Sequence, residues 1–256
     1  MTIASRRLKA SYSMRYLLID NSNTRTKLSF GSRDSIESWH EVIPTVELSE
    51  QRLNQALNGQ LYDAVMLCSV VPQKAELMER YFSQSPFHNL CHTSKLGIAI
   101  NYPHPQQIGA DRLANAVGVN ALYQTPAIVI DFGTAVTFDA VGADATYLGG
   151  VIAPGLASMT QNLAKRTALL PQIELSEPKH AIGKSTTEAM LAGAVYGYRG
   201  LIKEIISKLS DEMQCTPTVV ATGGDAALIA KGLPEINHVS PTLTLEGIRI
   251  AATLQF

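Results

Sequence analysis

The chain of 256 residues is short of cysteine, of aromatic residues and of charge, and each shortage removes a class of function. Its three cysteines, Cys68, Cys91 and Cys215, are odd in number and scattered, without Cys-x-x-Cys spacing. That argues against a disulfide framework and a zinc site, and for a reducing compartment. Charged residues make up 17% of the chain and the formal net charge is −1, so there is no global attraction to nucleic acid or to an anionic membrane. No apolar run is long enough to span a bilayer, and the opening MTIASRRLKASYS lacks the apolar core and cleavage site of a secretory signal. The expectation is a cytoplasmic protein with a small-molecule ligand. Residues 1–13 are expected to be an extension, with Met14 as an alternative start.

What the chain has is apolar residues, 46% of the whole, enough for two lobes with real cores. The organising stretch is Ala127–Phe138, AIVIDFGTAVTF. Four apolar residues run into Asp131 as a short buried strand, Phe132-Gly133-Thr134 turns, and Val136-Thr137-Phe138 goes back out. A second copy of this device stands near the N-terminus: Tyr16–Ile19, then Asp20, the turn Asn21-Ser22-Asn23-Thr24, and Thr26–Phe30. Each alone reads more simply as a plain strand and its turn. Two copies suggest an internally duplicated α/β protein of two lobes, 14–124 and 125–256, whose strand-mouth carboxylates suit Mg²⁺ and nucleotide phosphates.

Between the copies the order is strands first, then alternating helix and strand, which indicates α/β. Ser32–Trp39 reads as a polar turn, and Leu48–Leu61 as a helix capped by Ser49. Ala64–Val71 reads as a strand ending at Pro72, which opens the next helix. In Tyr102–Arg112, YPHPQQIGADR, two prolines hold the chain extended and Gly109-Ala110 lets backbone come close before a helix begins. Asp111 lies at that helix N-terminus, where a carboxylate is either a cap or a general base, with Arg112 beside it to hold an anion. Gly183-Lys184-Ser185 lacks the upstream glycine of a P-loop and is not one. The helix at 188–209 carries small residues suited to close packing, within the chain or across a dimer. Thr218–Gly224 reads as a strand into a glycine pair, and Leu243–Leu254 as a helix closing the second lobe.

The stretches DNSNTRTK, CSVVP, YPHPQQIGADR, IDFGTAVTFD, YLGGVIAPG, GKSTTEAM and TGGDA, in this order, resemble the type III pantothenate kinases. The resemblance covers Tyr16 to the C-terminus. It implies the duplicated, ribonuclease H-like two-lobe fold of actin, Hsp70 and sugar kinases, with central mixed sheets around an ATP cleft. It also implies ATP-dependent phosphorylation of pantothenate in a homodimer whose active site lies near the subunit interface. By position, Asp20, Asn21, Ser22, Asn23, Thr24, Arg25, Thr26 and Lys27 match the first phosphate loop, with Asp20 near Mg²⁺. Asp111 matches the proton acceptor, within the substrate-binding run Gly109-Ala110-Asp111-Arg112, and Tyr102 a substrate-pocket tyrosine. Asp131 matches the carboxylate that holds a monovalent cation, K⁺ or NH₄⁺. Thr134 matches an ATP contact, and Thr186 a substrate contact that reaches in from the neighbouring subunit. Ser22 departs from the glycine usual in the first loop; if the position needs a positive φ, serine is strained there and ATP binding is weakened. A non-catalytic relative of the virulence-accessory-factor kind and a different small-molecule kinase of the same fold are the alternatives.

Overall fold

A computed structural model describes residues 13–256, so the extension expected at 1–13 lies outside the described residues except for Ser13. The first half opens with an antiparallel meander of β1 (Tyr16–Asn21), β2 (Arg25–Gly31) and β3 (Ile36–Pro44). Residues 36–39, polar enough to suggest a turn, extend β3 instead, because β3 is an edge strand and can leave polar side chains in water. Helix α1 (Glu50–Ala56) is capped as expected, the Ser49 hydroxyl accepting from the Arg52 amide at 3.3 Å. β4 (Ala64–Ser69), α2 (Pro72–Tyr81) and β5 (Phe87–Asn89) complete a sheet of order β3-β2-β1-β4-β5, in which β1, β4 and β5 run parallel. A short β6 (Ala99–Ile100) and helix α3 (Ala110–Leu122) lead to the second half.

There the topology repeats. β7 (Ala127–Phe132), β8 (Ala135–Val141) and β9 (Thr146–Pro154) form the meander, followed by α4 (Leu156–Arg166) and α5 (Thr186–Met213). β10 (Thr218–Gly223), α6 (Ala226–Ala230), β11 (His238–Val239) and α7 (Leu243–Gln255) complete the described chain. The order β9-β8-β7-β10-β11 copies the first sheet, with β6 added beside β9. This is the duplicated, mixed-sheet fold the repeated motif suggests.

Strand alternation sorts side chains into layers. In β1 and β4, Tyr16, Leu18, Ala64 and Met66 face one way, and in β7 and β10 Ala127, Val129 and Val220 do so; all meet α3 and α7 in one central core. Leu17, Ile19, Val65 and Leu67 face the opposite way into the outer core of the first sheet, and Ile128, Ile130, Val219 and Ala221 into that of the second. Helix α7, expected to close the second lobe, packs on β1, β4 and α3, because Leu243, Ile248, Ala251 and Ala252 belong to the central core. Two glycines let α3 and α7 cross closely. A methyl on Gly118 would stand 2.8 Å from the Leu243 carbonyl oxygen, and one on Gly247 would run into the carbonyl of Ala114.

Candidate active site

The same alternation decides where the acidic side chains point. Asp20 follows Tyr16 and Leu18 by even steps along β1, and Asp131 follows Ala127 and Val129 along β7, so both carboxylates face the space between the sheets. Asp111, in the first turn of α3, enters the same space from the helix N-terminus. With Ser22, Thr24, Arg25, Lys27 and Thr134 the three carboxylates line a cleft of about 450 Å³. The other wall is Thr222, Gly223, Gly224 and Asp225 at the end of β10. Gly223 has φ +91, and a methyl there would stand 2.6 Å from the backbone of Phe132, so the approach of β10 to β7 depends on it.

The two hairpin tips meet across the cleft, with the hydroxyls of Thr24 and Thr134 3.1 Å apart. Lys27 stands opposite Asp20 in the β1–β2 register and donates to its Oδ2 at 3.0 Å. Asn21 and Thr26, the next pair in that register, face the other way and bond to each other at 2.8 Å, so they build the turn rather than line the cleft. Asn23 is exposed. Ser22 is not strained: among the described residues only Ala145 and Gln214 have a positive φ without being glycine. Its hydroxyl donates to Asp20 Oδ1 at 3.1 Å instead. Ser22→Gly therefore relieves nothing and is expected to lower stability by about 0.5–1 kcal/mol through added freedom of the unfolded chain. A urea titration showing a gain in stability would restore the strained-loop reading.

Lys27 pairs with Asp20, whereas for Asp111 and Asp131 burial outweighs the polar partners. Burial, reinforced by the charge of Asp20, raises the Asp111 carboxyl, although the Arg112 amide donates to its Oδ1 at 2.8 Å. A methyl on Gly109 would stand 2.6 Å from that same oxygen, which explains a glycine at this place in the motif. Burial, with Asp111 and Asp20 adding repulsion, pushes Asp131 up to about 6, against the Asn115 amide, which donates to its Oδ2 at 3.2 Å. The folded chain holds these protons more tightly than the unfolded chain, so between about pH 4 and 6 the Asp131 contribution makes stability fall as pH rises. Urea denaturation without divalent or potassium ions should give a pH slope over this window that is more negative for the wild type than for Asp131→Asn.

Arg112 does not line the cleft. It is buried, with Nε on Asp139 Oδ1 at 2.7 Å, and the Tyr147 hydroxyl donates to the same oxygen at 3.0 Å. Burial pushes Asp139 up to about 7 against the pull of both partners, and the guanidinium stays charged. Tyr102 lies beside this group, its ring 6.3 Å from that of Tyr147. Thr186 starts α5, is exposed, and is apart from the cleft lining. The residues that sequence reasoning left unassigned are Asn115, Asp139, Tyr147, Thr222, Asp225 and Thr244. For Thr222 and Asp225 the signal was the strand running into a glycine pair; for Asp139, its even spacing from Thr137 on β8, across the sheet from Val136 and Phe138.

A family model described as type III pantothenate kinase matches residues 16–208. A type III pantothenate kinase of Akkermansia muciniphila is 57% identical over 94% of this chain and 99% of its own length. One of Methylacidiphilum infernorum is 42% identical over 91% of this chain and 86% of its own. Among solved structures, a conserved putative Baf family transcriptional activator from Campylobacter jejuni superposes with a TM-score of 0.57 at 20% identity, over 93% of this chain and 97% of that one, a likeness of fold.

Proposed function

The chain belongs to the type III pantothenate kinases, a family of ATP-dependent phosphotransferases, and from that premise we propose that its inter-sheet cleft phosphorylates the primary hydroxyl of pantothenate to give 4′-phosphopantothenate. That product opens coenzyme A biosynthesis. The observation that carries the reading is the convergence of Asp20, Asp111 and Asp131 on one cleft walled by two hydroxyl-bearing hairpin tips. In the reaction the substrate oxygen bonds to the γ-phosphorus, the bond from that phosphorus to the β,γ-bridging oxygen breaks, and ADP leaves. Asp111 accepts the hydroxyl proton, for which its raised affinity suits it. Lys27 and the hydroxyl-bearing tips at Ser22, Thr24 and Thr134 cradle the phosphates, and positioning with charge neutralisation does most of the work.

The donor set fits hard cations. Asp20, Asp111, Asp131 and Asp225 bring carboxylate oxygens to the cleft, and among the described residues no three His, Cys, Asp or Glu side chains stand close enough to cage a metal unaided. A Mg²⁺ site that relies on one or two carboxylates plus substrate phosphates is built this way. Asp20 would hold Mg²⁺, and Asp131 a monovalent cation, K⁺ or NH₄⁺. When bound, these ions neutralise the phosphate charge. The homodimer reading is supported by exposed Ile152, Met159, Leu163 and Tyr196 and by open space over Gly193 and Gly197, and it would bring Thr186 of a second copy toward the substrate. The reading places the enzyme in the cytoplasm, and no helix among the described residues is long and apolar enough to cross a membrane.

The test is phosphorylation of pantothenate by the purified protein with ATP and Mg²⁺, first with potassium and then with sodium as the sole monovalent cation. Turnover that requires potassium is expected. A folded protein inactive under every cation would move the non-catalytic reading to the front.

A further inference from the structure

Asn115 is a fully buried amide in the middle of α3, and both ends of it are committed. Its nitrogen donates to Asp131 Oδ2 at 3.2 Å, and its oxygen accepts from the Thr244 hydroxyl at 2.8 Å. The two bonds are not interchangeable. An ionised carboxylate only accepts, so the NH₂ end must face Asp131, and the carbonyl end needs a donor on the far side. Thr244, in the first turn of α7, supplies it. The hydroxyl reaches Asn115 because Gly118 and Gly247 let the two helices cross at backbone distance. On the other side of the carboxylate a methyl on Gly223 would stand 2.7 Å from Oδ1, so that glycine keeps Oδ1 clear while Oδ2 is held.

We propose that Thr244 and Asn115 form a positioning relay through which the C-terminal helix fixes the orientation of the Asp131 carboxylate, and so sets the affinity of the cleft for its monovalent cation. This rests on the reading of Asp131 as the cation ligand. In the relay the consecutive elements α3 and β7 meet α7, which is distant in sequence, so the cation site depends on how α7 sits between the sheets. Without the Thr244 hydroxyl the Asn115 oxygen is left unsatisfied in the core, and the amide that donates to Asp131 is anchored at one end only.

The experiment compares Thr244→Val, which keeps the shape and loses the hydroxyl, with Thr244→Ser, which keeps the hydroxyl. Two readouts are taken in potassium chloride balanced with choline chloride at constant ionic strength. One is the potassium concentration that half-saturates pantothenate phosphorylation. The other is the potassium-induced rise in melting temperature without substrates. Loss of such an outer partner typically weakens a metal site by about 10–100-fold. Thr244→Val acts through Asn115 and is therefore expected at the low end, raising the half-saturating potassium about tenfold and blunting the thermal response, without a matching change in the KM for pantothenate. Thr244→Ser should recover both. If Thr244→Val does not fold, Thr244→Ala removes the same hydroxyl and serves in its place. A folded hydroxyl-free variant with the wild-type potassium response overturns the relay. A wild type indifferent to potassium in both readouts overturns the cation reading of Asp131, and the relay with it.

Discussion

Asp111→Asn is expected to lower turnover by about 10²–10⁴ while leaving the fold as stable as before or slightly more so. Asparagine has the shape of aspartate, and its oxygen can still accept from the Arg112 amide, which bonds Asp111 Oδ1 at 2.8 Å. What it lacks is the capacity to take up the substrate proton. The stability side follows from the same geometry: burial and the charge of Asp20 already oppose ionisation of Asp111, so a neutral amide removes a repulsion. The checks are kcat at saturating ATP, pantothenate and potassium, beside thermal melting of both proteins. The pH profile adds a second test. The acid limb of kcat/KM should lie above the ordinary carboxylate range in the wild type and vanish from the residual activity of the variant. Wild-type turnover in a folded variant would refute the assignment.

The placement of Asp20 and Asp131 was legible because strand parity is a strong rule. Each lies an even number of residues from apolar positions that must face a core, and the duplicated hairpins show two such strands. Asn115 was hidden for a reason that also lies in geometry. A surface helix shows an apolar stripe and a polar face, but α3 runs between two sheets and is buried nearly all round, from Arg112 to Val119. A buried asparagine in such a helix looks like any other interior position until its partners arrive from β7 and α7. One clue was present: Asn115 stands four residues after Asp111, one turn deeper on the same face.

Arg112 illustrates the opposite case. Adjacent to Asp111 in sequence, it suggests an anion clamp beside the base, yet one residue along a helix turns a side chain by about 100°. The structure directs it away from the cleft to Asp139. Ser22 shows the limit of reasoning from a motif. The glycine usual at that place suggests a backbone that only glycine adopts, whereas the turn here needs no left-handed residue and uses the serine hydroxyl on Asp20.

Arg112→Met is expected to cost about 3–5 kcal/mol of stability, because it keeps much of the side-chain volume but leaves Asp139 buried without its countercharge. Asp139 is wholly inaccessible and would retain only the Tyr147 hydroxyl and the weaker neighbouring polar groups. Burial already pushes its carboxyl up to about 7, and removal of the guanidinium moves it further in that direction. The variant can escape part of the penalty by binding a proton. Its deficit against wild type in urea denaturation should thus be largest at pH 8 and shrink toward pH 5. Arg112→Met combined with Asp139→Leu removes both charges and should recover most of the loss, since a buried pair replaced by apolar groups is often neutral. That double variant also separates two roles for the arginine. If Arg112 only braces the core, the refolded double variant should bind pantothenate with nearly the wild-type KM. If the guanidinium swings to the substrate carboxylate during turnover, stability returns while the KM stays raised.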